Sequence, residues 1–414
     1  MRNFFFIFLI IFVFQTNAQE LLKFQVDAGF YNRIDCPIYI QIPRSLSGLK
    51  AKDIQLVELV DNSNILIASQ FDANDAGKLW FILNSYTPKQ TIRRFAILKK
   101  TSNIKYQQID LSKKDGALLL KHNKKPILNY QYKIAFPPKG VDKRYKKSGF
   151  IHPLWSPDGE ILTRIQPPDH YHHYGIWGPW TKTHIQEREV DFWNLAKGQG
   201  TVLFKNFKYE FQGAVFSGFT AIQEHLDFGA KSKNQVAINE ELEIKVWNLK
   251  TNNIWLIDYS SHIVSPLESG ILFDAYRYGG GLGFRATEKW NKTNTTVLTS
   301  ENKDRLTADG SRAKWTRIEG STKTKEGRSG ILFMSFPKNR QHPEPMRVWP
   351  VDANNGRGDM FFEFCPIRHK EWIIESHKKY SLNYRMLVFE GTLTVEQAEM
   401  YWQSFANPPK ITLE

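Results

Sequence analysis

The sequence predicts an almost wholly β protein: a small N-terminal β-sandwich followed by a large antiparallel β-supersandwich, with a short C-terminal helix. Three observations predict it. Apolar residues alternate or cluster at strand length through most of the chain, Gly, Asn, Asp and Pro punctuate those runs, and the stretch 394–405 alone carries a clear helical apolar stripe.

In chain order, residues 1–18 read as a signal peptide. Arg2 precedes an apolar run over 4–14, and Gln-Thr-Asn-Ala follows it toward a cut after Ala18. No cysteine stands where a lipid anchor would need one, and later apolar stretches fall short of the roughly 18 residues that a spanning helix requires. The expected product is periplasmic or secreted, soluble, and without stable membrane insertion. Residues 19–125 then read as the N-terminal sandwich, with strands at 38–42, 54–60 and 93–98 separated by polar turns. Residues 126–414 read as the large sandwich, with strands at 130–136, 202–212, 220–227, 235–249, 253–264, 295–299, 330–336 and 383–390. The final helix has Thr394 as its cap and Glu396 and Gln397 in its first turn. Val395, Ala398, Tyr401, Trp402 and Phe405 form its packing stripe.

The 414 residues carry 56 Lys and Arg against 42 Asp and Glu, a formal charge of +14. The lysines are dispersed through turns and no nucleic-acid motif accompanies them. That charge describes a solvated basic surface suited to anionic partners, and export makes an acidic carbohydrate the expected one rather than a nucleic acid. Cys36 and Cys365 are too few for a cysteine-rich metal site and read as two buried thiols.

Chemistry concentrates in 149–180, GFIHPLWSPDGEILTRIQPPDHYHHYGIWGPW. Pro167 and Pro168 oppose a helix before Asp169, and Gly175 and Gly178 permit close turns after His173. His170, His172 and His173 place three imidazoles together, each able to exchange a proton near neutral pH or to ligate a metal. An extended chain puts His170 and His172 on one face, whereas a helical turn pairs His170 with His173. Asp169 is placed to orient one ring, and His152, beside Pro153, offers another. A divalent metal on His170 and His172 is an open reading, although the spacing is no HExxH and defines no further ligands. Arg164 supplies a permanently charged fork for a carboxylate, phosphate or sulfate, or an ion pair with a nearby acid. Glu189 and Asp191 fit a charged strand face. More distant candidates are Glu224 with His225, His262, the glycine-rich 279–285 ending at Arg285, and His342. Asp359 and Glu363 read as strand-edge charges, and Trp177, Trp349 and Trp372 as stacking surfaces for sugar.

The motifs His152-Pro153, Pro157-Asp158-Gly159, Thr163-Arg164, Pro167-Pro168-Asp169-His170, His172-His173, Gly175-Ile176-Trp177, Asp191-Phe192-Trp193 and 281–285 resemble the PmoA-like family, labelled methane oxygenase PmoA, over about 130–395. An oxygenase activity needing several membrane spans does not fit an exported β chain. At the level of fold, the resemblance implies a galactose mutarotase-like β-sandwich, an architecture also used by polysaccharide lyases and hydrolases.

The expectation that follows is a carbohydrate-active hydrolase or lyase cleaving an acidic oligo- or polysaccharide. His170, His173 and His152 would transfer protons; Arg164, Asp169, Trp177, Arg285 and His262 would bind substrate. The alternatives are a glycan-binding protein without catalysis and a metal-dependent carbohydrate enzyme.

Overall fold

The computed structural model describes residues 19–61, 63–101, 104–231 and 234–414, so the leader expected over 1–18 lies outside the described residues. Among the described residues the fold is nearly all β, with several sheets and two short α-helices, Ala353–Gly356 and Val395–Ala406. Among the described residues no helix is long and apolar enough to cross a membrane.

The chain divides into two compact units, one running to Tyr106 and taking in Pro408–Glu414, the other Gln107–Asn407. The first is a small sandwich. Its five-stranded sheet runs Lys410–Leu413, Glu20–Asp27, Ile92–Lys99, Ile54–Val60, Ser63–Ile67, and its three-stranded sheet runs Arg33–Gln41, Lys78–Thr87, Ser69–Phe71. Alternation sends Phe24, Ile38, Phe81 and Phe95 into one shared core, with Phe24 and Phe95 stacked at 5.4 Å. Residues 110–122, expected before a break at 125, belong with the second unit, because Ala117–His122 pairs with Lys125–Gln131 in one hairpin.

The second unit is built on an eight-stranded antiparallel sheet and a nine-stranded sheet. The eight-stranded order is Gly200–Phe211, Phe216–Asp227, Gln235–Trp247, Ile254–Val264, Tyr380–Glu390, Arg328–Ser335, Trp315–Ser321, Thr295–Thr299. The centre of the nine-stranded sheet is Glu344–Val348, Phe361–Phe364, Leu282–Arg285, Ile176–Trp177, Phe150–Leu154 and Lys125–Gln131. The strand expected over 130–136 therefore ends at Gln131. The large core gathers Phe219, Ile244, Ile257 and Met386 from the first sheet with Ile151, Ile176, Phe284 and Phe362 from the second.

Period-two alternation then fixes what the nine-stranded sheet presents on its other face. Phe150, Trp177 and Phe361, each next in sequence to a core residue, join Tyr174, Trp193, Leu195 and Trp349 in a second, aromatic cluster. The functional candidates gather over this layer. The C-terminal helix forms as expected: the Thr394 hydroxyl accepts the Gln397 N–H while the Gln397 side chain returns to the Thr394 N–H. Cys36 and Cys365 are both buried.

Candidate functional site

The segment between Phe150–Leu154 and Ile176–Trp177 is irregular and held by isolated bridges, Thr163 to Ala286 and Ile165 to Tyr174. Two successive tight turns form its tip. The His170 N–H donates to the Pro167 carbonyl at 2.8 Å and the His173 N–H to the His170 carbonyl at 3.0 Å. The helical-turn pairing is thus the one adopted, and the rings of His170 and His173 lie 4.8 Å apart. Gly175 leaves the turn at φ +64°, where a Cβ would sit 2.2 Å from the Ile151 carbonyl oxygen, so only glycine lets the chain rejoin the sheet.

Asp169 and His170 are the accessible members, with side chains 27% and 29% exposed. His170 Nδ1 lies 2.9 Å from Asp169 Oδ2. Asp169 Oδ2 also accepts from Asn354 Nδ2 at 2.6 Å and Arg285 Nη2 at 3.3 Å. Burial alone would raise the Asp169 carboxyl, yet the His170 hydrogen bond and the Arg285 charge hold it at about 2. An ionised carboxylate only accepts, so His170 Nδ1 carries the proton and Nε2 presents its lone pair. Nε2 makes no hydrogen bond among the described residues.

Arg285, 1% exposed, forms the floor. It bonds Asp359 as well as Asp169, lies 4.7 Å over the Trp349 ring, and brings Nη1 within 3.5 Å of His173 Nδ1. Arg357 bridges Asp359 and Asp169 from above, and Asn354 Nδ2 donates to Asp359 at 2.9 Å. Two carboxylates and two guanidiniums thus cancel. Arg285, expected to grip an acidic substrate, already has carboxylates in its fork.

His173 is 1% exposed and lies inside the aromatic layer, 4.9 Å from Phe361 and stacked on Trp193 at 5.6 Å. Burial, reinforced by the neighbouring His172 and Arg285, holds its pKa well below the ordinary value. This proposed proton-transfer residue is therefore a neutral wall beneath His170. His172 packs edge to face against Trp193, and burial brings its pKa to about 4. Trp177 is a buried member of the same layer. His152 and Arg164 both line an adjoining groove of about 530 Å³. His262 lies apart on Ile254–Val264 of the eight-stranded sheet, bonded to Ser381 at 2.7 Å. His225 pairs with Glu240 at 2.9 Å inside the core, and His342 stacks near Trp402.

The rings of His170 and His172 are 5.5 Å apart and roughly perpendicular. Among the described residues no group of three or more His, Cys, Asp or Glu side chains is arranged to hold a metal ion, so the pair gathers no further ligand. Asp191 is structural: buried, it accepts the Trp193 and Asn194 N–H groups and pairs with Lys197 at 2.9 Å. Asp359 and Glu363 are 3% and 0% exposed, not the edge charges expected. Glu363 accepts the Gly279 N–H at 2.6 Å, and burial pushes its carboxyl well up. Sequence reasoning missed Asn354 and Arg357. The signal was there in Asn354-Asn355-Gly356, where Asn354 and Asn355 take left-handed φ of 54° and 56°, a turn that aims side chains inward.

Residues 117–403 match the model of DUF6807, a family of unknown function. The chain belongs to that family. This membership replaces the PmoA-like one read from the motifs of 152–193 and 281–285, and the fold is a β-sandwich assembly with no helix of membrane length among its described residues. No curated protein matches the chain in sequence. Distant structural similarity extends to several carbohydrate-active enzymes. An α-mannosidase from Enterococcus faecalis aligns with a TM-score of 0.44 and 10% identity over 95% of this chain and 46% of that one. A heparan sulfate lyase from Pedobacter heparinus gives 0.35 and 7% identity over 72% and 38%. A putative aldose 1-epimerase from Escherichia coli gives 0.30 and 11% identity over 69% and 99%. The chain spans less than half the length of the first two. Likeness at these scores names neither a substrate nor a site for this DUF6807 member.

Proposed function

We propose that the chain is a carbohydrate-active enzyme that cleaves an oligo- or polysaccharide, with His170 as the proton-transfer residue and Asp169 as its orienting partner. The observation that carries this reading is the accessible His170–Asp169 pair at 2.9 Å, with Nε2 unbonded among the described residues. A fixed Nδ1–H tautomer presents Nε2 as a base; protonated there, the ring serves as an acid. Either role serves cleavage: elimination removes a ring proton beside a carboxylate, and hydrolysis protonates a leaving oxygen or activates water.

Asp169, Asn354 and Arg357, over the buried Arg285–Asp359 pair with which they balance in charge, supply hydrogen-bond partners of the kind sugar hydroxyls use. In this reading His173 and His152 do not exchange protons. His173 supports Arg285, and His152 belongs to the adjoining groove. The route of export, with a periplasmic or secreted product, remains part of the proposal through the leader of 1–18.

Product mass spectrometry over neutral, uronic-acid and sulfated oligosaccharides tests the reading. Addition of water marks a hydrolase, an unsaturated product of unchanged total mass marks a lyase, and binding with neither leaves a recognition protein. His170→Ala is expected to lower turnover by about 10²–10⁴-fold with unfolding behaviour unchanged. Near-normal cleavage by the folded variant sinks the assignment.

A further inference from the structure

We propose that the groove beside the histidine turn binds an anionic group, a carboxylate or sulfate on a sugar-sized ligand, and that Arg164 is its cation. The class of ligand rests on the carbohydrate reading above; the anion rests on the groove alone.

The groove, open to solvent, has a volume of about 530 Å³ and is lined by His152, Glu160, Thr163, Arg164, Glu288 and Lys289 among others. That size falls in the range of about 300–1,000 Å³ common to small-ligand sites. The backbone of Arg164 is fixed on both sides: its N–H donates to the Arg285 carbonyl at 3.0 Å, and its carbonyl accepts from Gly175 at 2.9 Å.

The guanidinium, by contrast, is poorly matched. Its side chain is 19% exposed, Nη2 meets Glu288 at 3.1 Å, and Nη1 is buried with no hydrogen-bond partner among the described residues. Glu288 is 70% exposed, so water screens and competes for that one pairing. Arg285 has two carboxylates; Arg164 has one loose one. A carboxylate, or two oxygens of a sulfate, displacing Glu288 would engage two N–H groups of the fork at once, satisfying the orphaned one.

His152 completes the site as a donor without adding charge. The Thr163 hydroxyl accepts the Leu154 N–H at 3.0 Å and lies 2.8 Å from His152 Nδ1. With the hydroxyl giving its single proton to Nδ1, the neutral ring carries its own hydrogen on Nε2. Burial holds His152 at about 4, so the ring stays neutral. Lys289, on the rim, is already joined to Glu160 at 2.7 Å, which leaves Arg164 as the cation for a ligand.

Calorimetric titration of the full chain with glucuronate, glucose 6-sulfate and glucose at constant ionic strength decides it. At least one anionic probe is expected to bind about tenfold or more tightly than glucose, and the tighter of the two identifies the anion. Arg164→Gln should erase that preference, and Glu288→Gln should strengthen it by removing the competing carboxylate. Equal binding of all three sugars, or an undiminished preference in folded Arg164→Gln, overturns the proposal. If Arg164→Gln fails to fold, absence of any tightening in Glu288→Gln overturns it. His170→Ala should keep the anion preference while losing turnover. Loss of turnover with no anion preference sinks the groove and leaves the catalytic reading standing; the reverse pattern sinks His170 alone.

Discussion

At the scale of single residues, the site is a charge-balanced knot whose centre is Arg285. Its guanidinium is almost wholly buried between Asp169 and Asp359. Removing the buried cation leaves two carboxylates sharing the half-exposed Arg357 alone, so Arg285→Ala is expected to cost about 3–5 kcal/mol in urea unfolding. Most of that cost should come from stranded carboxylates. In an Asp359→Asn background the same change should therefore cost less, with a coupling of at least about 1 kcal/mol, and strictly additive costs would show the knot to be incidental. Asp169 and His170 could be singled out in the sequence because polar and aromatic types crowd around them, and Arg285 because it ends the glycine-rich 279–285. Asp359 could not, since its neighbours Phe361 and Phe362 read only as a strand. Its role came from the left-handed turn at Asn354 and Asn355, which folds Asn354 and Arg357 back over it.

At the scale of elements, long strands and the capped helix were readable and short pieces were not. Ile54–Val60 and Thr295–Thr299 fall where alternation puts them, and Val395–Ala406 begins at its capping threonine. Ile176–Trp177 and Thr183–Ile185 are too short to show a period, and exist because neighbouring strands supply their hydrogen bonds. The histidine turn depends on one such junction. Gly175→Ala forces a Cβ onto the Ile151 carbonyl at a left-handed φ, so it is expected to destabilise the protein by more than about 1 kcal/mol. Faster hydrogen exchange over 166–177 should accompany that loss. Unchanged exchange there would mean that the turn does not rely on this glycine.

At the scale of the whole molecule, the two large sheets of the second unit share a core that is not wholly apolar. Glu344, on the nine-stranded sheet, accepts the Tyr384 hydroxyl of the eight-stranded sheet at 2.9 Å and is held by Ser335 and Asn339. Burial, only partly offset by those hydrogen bonds, raises its pKa from 4.5 to about 7. Between those values the folded state keeps a proton that the unfolded chain has lost. Its contribution, roughly 3 kcal/mol, is therefore complete below about pH 4.5 and gone once the pH has risen past about 7. Glu344→Gln should flatten that part of the profile in unfolding measured across pH, and an identical slope in wild type and variant would refute the assignment. By itself the sequence determined the β class, the long strands, the final helix and the segment where chemistry concentrates, because alternation, turn residues and residue type are local properties. The tertiary structure decided which histidine is accessible, which arginine is already occupied, and which distant loop completes the site. Those depend on burial and on charges brought together from 169, 285 and 359, and no local pattern records them.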